Sequence, residues 1–196
     1  MRIIAGSHRG REILAPDGRE TTRPITDRVK ESLFNRLHAL GVLGYGHVLD
    51  LYCGTGSMGL EALSRGAERC TFVDLDRYAQ RQLSENLERF GWTERARCLQ
   101  ASVTPGLFLD PLEDSSVPLA LIDPPYKDAE DPARAADFAA LLDQLYPKLE
   151  DGGVAMFRAP AAAAAPEPSA AFDRGDVTYG GMTLHFFQRP LEEAES

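Results

Sequence analysis

The chain reads as an α/β protein: a doubly wound, mostly parallel seven-stranded sheet ending in an antiparallel hairpin, with a small N-terminal extension of hairpin plus helix. Two observations carry this. Short apolar runs alternate with stretches of helical periodicity between residues 47 and 159, and strands alternating with helices of that length demand a parallel sheet covered on both faces. Two further β-rich runs then flank Gly180-Gly181, the turn chemistry of a tight hairpin.

In chain order, RIIA and REIL flank the turn-prone GSHRG, which predicts a short hairpin over residues 1–14, and Pro16, Asp17 and Gly18 break the chain. From Thr26, an expected N-cap, Val29, Leu33, Leu37 and Leu40 recur at helical spacing until Gly41. HVLDLY (47–52) predicts a buried strand, and a Gly-rich turn leads into a helix over 57–65 that Gly66 closes. RCTFVD (69–74), ARCLQA (96–101) and PLALID (118–123) predict the next strands, with a helix over 77–90 between the first two. Residues 134–149 read as helix and GGVAMFRA (152–159) as the fifth strand. The low-complexity segment APAAAAAPEPSA reads as a variable surface connection. The expected organisation is an extension over 1–40, a main domain over 41–190 and a frayed tail over 191–196.

The 196 residues suffice for one sizeable core, and no apolar run approaches the roughly 20 residues of a bilayer span. No export signal is visible at the N-terminus, so a cytoplasmic protein is expected. Cys53, Cys70 and Cys98 form neither a CxxC pair nor a disulfide framework and read as reduced core residues. The histidines His8, His38, His47 and His185 lie on separate segments, and no metal is expected. A net charge of −9 argues against a polyanionic partner, but residues 1–40 hold eight basic against five acidic side chains. Positive charge concentrated in an arm on an acidic body is what phosphate contact requires. Arg9, Arg11, Arg19, Arg23, Arg28 and Lys30 are the candidate RNA-backbone contacts, the alternative for each being a solvated basic face.

Gly54-Thr55-Gly56-Ser57-Met58-Gly59 fits G-x-G-x-x-G between a predicted strand and helix, and Asp74 follows twenty positions after Gly54. Glycine lets the backbone press against a ligand, and an acidic residue at the end of the second strand can accept from ribose hydroxyls. Asp50, inside the first strand, favours a cofactor bearing an ammonium group, because it would repel a pyrophosphate. The alternative is a carboxylate that caps a nearby backbone amide.

Asp123-Pro124-Pro125-Tyr126 emerges where open α/β sheets place their ligands. Prolines donate no N–H, leaving rigid carbonyls that only accept. The Asp123 carboxylate and Pro124 carbonyl suit the two hydrogens of an exocyclic amine, turning its lone pair toward an electrophilic methyl, and Tyr126 suits stacking on a base. A strand-terminating turn with an Asx-type cap is the alternative.

VLDLYCGTGSMGLEALSRGA, FVDLD and LIDPPY resemble the successive motifs of Rossmann-like class I S-adenosylmethionine-dependent methyltransferases. RIIAGSHRGREILAP and RPITDRVKESLFNRL resemble the RsmD family, which methylates guanine N2 at one position of bacterial 16S ribosomal RNA. The resemblance runs from about residue 2 to the terminal hairpin, with 160–170 least matched. It implies S-adenosylmethionine as cofactor, held by Arg23, Thr26, Asp50, Tyr52, Gly54, Gly56, Asp74, Leu75, Gln100 and Ala101, with Arg23 to Glu31 closing over its methionine end. Asp123, Pro124 and Tyr126 would be the catalytic residues that receive the guanine. The implied partner is 16S ribosomal RNA; the acidic body favours a structured, protein-bearing RNA of a small-subunit assembly particle over naked RNA, which stays open, and a monomer is favoured. One departure is Gln100-Ala101-Ser102, where such enzymes commonly carry Asp or Asn. Because DPPY also occurs in adenine-N6 enzymes, adenine remains open as the base. A nicotinamide-dependent oxidoreductase explains the glycine loop alone, and a non-catalytic RNA-binding protein explains the arm alone.

Overall fold

The computed structural model describes residues 1–14, 25–103 and 108–191. In chain order its regular elements are α1 (Asp27–Ala39), β1 (His47–Leu51), α2 (Ser57–Ser64), β2 (Arg69–Asp74), α3 (Arg77–Phe90) and β3 (Ala96–Gln100). They continue with β4 (Val117–Ile122), α4 (Tyr126–Ala129), α5 (Ala135–Leu145), β5 (Leu149–Pro160), β6 (Asp173–Tyr179) and β7 (Met182–Gln188). The seven strands form one sheet in the order β3-β2-β1-β4-β5-β7-β6. Strands β1 to β5 pair in parallel, and β7 inserts antiparallel between β5 and β6.

Because side chains alternate faces along each strand, the sheet carries two cores. Val48, Phe72, Leu119, Leu121 and Met156 pack under the side of α1 to α3, while Leu49, Leu51, Val73, Ile122 and Phe157 meet Phe138, Leu141 and Leu142 of α5. All six residues of β4 are buried, as a strand covered on both faces must be. Edge strand β3 is at best half-buried, so Cys98 is exposed rather than a core residue; Cys53 and Cys70 are buried and free.

Helix α5 stops at Leu145, short of the expected 149: Tyr146 still has helical backbone, but Pro147 has no N–H to carry the i→i−4 ladder further. Strand β5 correspondingly begins at Leu149. The connection after β5 has no regular element, but Ala163 and Phe172 pack on the second core, where Phe172 meets Tyr146 and Phe187 edge-on. The expected chain break at 16–18 and the end of the expected tail (192–196) lie outside the described residues. Among the described residues no helix is long and apolar enough to cross a membrane.

The N-terminal hairpin is a tight loop with a single bridge, Arg2 to Glu12, bound to the body by polar groups that the core surrounds. Glu61, fully buried on α2, accepts the N–H groups of Ile4 at 2.7 Å and Ala5 at 3.0 Å. Gly6 lies at φ +84° so close to the end of α2 that a Cβ would fall 1.9 Å from the Ser64 carbonyl oxygen; no other residue fits. Asn86 of α3 accepts the Leu14 N–H at 2.8 Å, returns its amide to the Leu14 carbonyl at 3.2 Å, and reaches the Thr55 carbonyl at 3.4 Å. One buried amide thereby ties the arm to the glycine loop.

Candidate active site

The sheet order reverses between β1 and β4, since β1 leads outward to β2 and β3 whereas β4 leads to β5. Crevices open at the carboxyl ends of such strands. The Asp123 N–H, just past β4, donates to the Leu51 carbonyl at 3.1 Å, so the DPPY segment starts beside the strand that feeds the glycine loop. The two motifs share one rim.

On the β1 side, Asp50 is fully buried and its Oδ2 accepts the Gly59 N–H at 2.7 Å. A Cβ on Gly59 would meet Phe72 Cε1 at 2.3 Å and Asp50 Oδ2 at 2.9 Å, so only glycine lets α2 lie this close to the sheet. The amide-capping role weighed for Asp50 is therefore real, but it occupies one oxygen. Oδ1 is buried without a hydrogen-bond partner among the described residues. Burial, outweighing the Gly59 bond and reinforced by Asp123 and Asp74, pushes this carboxyl well above the usual range.

Asp74 ends β2. Its Oδ2 accepts the Gly54 N–H at 2.7 Å and its Oδ1 the Asp76 N–H at 2.8 Å, which fixes the carboxylate while leaving lone pairs for a diol. Burial raises its pKa despite these bonds. Gln100 stands beside Asp74 in register, Ala101 donates its N–H to the Asp74 carbonyl at 3.2 Å, and Leu75 exposes 65% of its surface at the same rim. Gly56 caps α2 in the left-handed region. Tyr52 adopts φ 59°, an uncommon conformation for an aromatic residue, held by edge contact with Phe138. Burial pushes its phenol up to about 12.

On the β4 side, Asp123 is half-buried, Pro124 buried, and Pro125 gives its carbonyl to the Asp128 and Ala129 N–H groups as the cap of α4. Tyr126 opens that short helix, and its hydroxyl is buried without a partner among the described residues. Sequence reasoning missed Arg158 of β5. Its Nε donates to Asp123 Oδ1 at 2.6 Å, and its guanidinium carbon lies 5.4 Å from the centroid of the Tyr126 ring. A charge inside the apolar run GGVAMFRA was the available signal. Burial raises the Asp123 pKa, while the ion pair and hydrogen bond with Arg158 pull against it.

The first turn of α1 abuts the glycine loop, since Lys30 Nζ lies 3.3 Å from Ser57 Oγ. Thr26 caps α1 through the Val29 N–H at 3.4 Å. Arg28 is exposed. Lys30 is not: expected at the RNA backbone, it is 1% exposed, donates to the Arg2 carbonyl at 2.6 Å and sits 3.6 Å from Glu61. Three and four residues before Leu33 and Phe34, it falls on the buried helix face. Burial lowers its pKa against the pull of Glu61 and Asp27. Arg9 and Arg11 are exposed on the hairpin, whose tip packs near Ser64 at the far end of α2 from the glycine loop, about 10 Å down the helix axis. Arg11 lies over Phe90, and His8 stacks edge-on against Trp92. Arg19 and Arg23 lie outside the described residues.

A buried, unpartnered carboxylate oxygen, a fixed rim carboxylate and a glycine cradle suit a ligand with an ammonium group and a ribose. Comparison with known proteins agrees. A family model described as conserved hypothetical protein 95 matches residues 1–188. The Bacillus subtilis protein YlbH, named as a candidate rRNA methyltransferase, is 38% identical over 153 residues, 78% of this chain and 79% of that protein. Ribosomal RNA small subunit methyltransferase D of Escherichia coli K12 is 34% identical over 155 residues, 78% of this chain and 68% of that one. The solved structure of yhhF from Escherichia coli, described as a candidate methyltransferase, superposes with a TM-score of 0.78 at 28% identity, over 98% of this chain and 99% of that chain. Matched along nearly its whole length by the family model, and carrying both motifs on one rim, the chain belongs to the RsmD family of methyltransferases.

Proposed function

We propose that this protein methylates the exocyclic N2 amine of a guanine in 16S ribosomal RNA, using S-adenosylmethionine. The observation that carries the reading is the shared rim: Asp123 hydrogen-bonded to β1, beside a buried carboxylate, Asp50, with an oxygen to spare. The cofactor, when bound, supplies a methyl made electrophilic by its sulfonium. Asp50 holds the ammonium end and Asp74 the ribose, with Gln100 and Leu75 at the adenine. Asp123 and the Pro124 carbonyl accept the two amine hydrogens and turn the nitrogen lone pair toward the methyl; as the N–C bond forms and the C–S bond breaks, S-adenosylhomocysteine is the leaving group and the surplus amine proton passes to Asp123 or water. Tyr126 stacks on the base. Alignment of two bound reactants accounts for about 7–11 kcal/mol of barrier lowering in favourable systems, more than the 10²–10⁴-fold typical of base catalysis. The ribosomal substrate is supported by the names of the relatives in Escherichia coli and Haemophilus influenzae.

The test is transfer of labelled methyl to small-subunit RNA followed by nucleoside analysis. N2-methylguanosine is expected, and N6-methyladenosine would replace the substrate with the second reading that DPPY allows. Asp123→Ala should abolish turnover while S-adenosylhomocysteine still binds; loss of that binding would move Asp123 into the cofactor site.

A further inference from the structure

Arg158 follows Phe157, which pairs in register with Ile122, so it stands beside Asp123 across the β4-β5 ladder. Its side chain is 2% exposed, and Val154 to Phe157 before it are all apolar. Burying a guanidinium there costs several kcal/mol that a hydrophobic residue would not, and such a charge is no device for building a sheet. Among its contacts is the DPPY segment: Asp123 Oδ1 at 2.6 Å and the face of the Tyr126 ring at 5.4 Å.

We infer that Arg158 is a positioning residue for the amine-accepting site, holding the Asp123 carboxylate in one orientation as an anionic acceptor and seating the Tyr126 ring beneath the incoming base. This rests on the reading of Asp123 to Tyr126 proposed above. The guanidinium takes Oδ1, and the Asp123 side chain keeps 17% exposure through which its other oxygen meets an N–H. Among the described residues, the charged group that acts on Asp123 is Arg158 from β5, while Asp123 in turn raises the pKa of Asp50 on β1, as does Asp74 from β2. Burial favours the protonated acid, which accepts poorly; Arg158 opposes it. A carboxylate so paired is also a weaker base, so its part is orientation and stabilisation of the charge that develops on nitrogen.

The experiment is steady-state methyl transfer to guanine-containing RNA between about pH 5.5 and 8.5, for the wild type, Arg158→Met and Arg158→Lys, with S-adenosylhomocysteine affinity and thermal unfolding measured alongside. Arg158→Met should lower kcat by about 10²-fold, leave S-adenosylhomocysteine affinity unchanged, and move the acid limb of the profile to higher pH. Arg158→Lys keeps the charge without the planar fork, and should hold the limb in place while kcat falls several-fold. A limb unmoved in Arg158→Met overturns the inference. So does wild-type kcat in Arg158→Lys, which decides the matter should the methionine variant fail to fold. If the wild type methylates no exocyclic amine, the underlying reading has failed; if it does and the limb stays put, only this inference has.

Discussion

Asp50→Asn tests the buried carboxyl on which the cofactor reading leans. The amide is nearly isosteric and can still accept the Gly59 N–H through its oxygen, so the perturbation is confined to the ionisable proton and the atom now at Oδ1. Burial and two neighbouring carboxylates hold the folded-state pKa of Asp50 well above its unfolded value, so the folded state binds the proton more tightly. The stability this gives is fully present below the unfolded pKa, about 3.9, and is lost as pH rises toward the folded one. The limiting slope for one proton is about 1.4 kcal/mol per pH unit, which caps the loss by pH 7 at about 4 kcal/mol. The variant carries no such loss. Its amide adds an unsatisfied buried donor costing about 1–3 kcal/mol, but that offset does not change with pH. Urea unfolding of both proteins from about pH 4 to 7 should therefore show the variant gaining on the wild type as pH rises. Parallel stability curves would mean that Asp50 titrates as an ordinary aspartate and that no unsatisfied charge waits for an ammonium group. In the same wild-type protein, S-adenosylmethionine affinity should rise with pH over this range, with proton release visible by calorimetry in buffers of different ionisation enthalpy.

Asn86→Ala leaves the Leu14 N–H and the Leu14 and Thr55 carbonyls without their partner, and should cost about 2–4 kcal/mol in urea unfolding while opening the arm to proteolysis; a loss below about 1 kcal/mol would show that the arm is held elsewhere. Asp74→Ala should weaken S-adenosylhomocysteine binding by calorimetry, since it removes the carboxylate that orients the Gly54 N–H as well as a ribose acceptor; an unchanged Kd would end the ribose role. Arg9→Ala combined with Arg11→Ala should weaken binding to structured RNA and reduce the slope of log affinity against log salt by about 1.4–1.8, while a short oligonucleotide that reaches only the sheet rim is turned over as before. Equal loss of affinity at high and low salt would contradict phosphate contact.

The strand and helix sequence, the glycine loop, the hairpin around Gly180 and the position of DPPY were legible from residues alone, because each is a local code: period-2 and 3.6-residue patterns, or residues whose backbone has few choices. Local reading also failed locally, as at the end of α5, where the helical pattern was followed past the restriction that Pro147 sets. What only the tertiary structure decided was where buried charge is answered. Lys30 reads as a phosphate contact and is instead sealed beside Glu61 and Ser57; Asn86 and Arg158, which no sequence pattern singled out, clamp the arm and hold Asp123. The partners are 27 to 72 positions away along the chain. A single side chain shows that it is charged or polar, but whether water, an ion partner or a ligand satisfies it depends on which distant groups the fold brings within about 3 Å, and no local pattern encodes that distance.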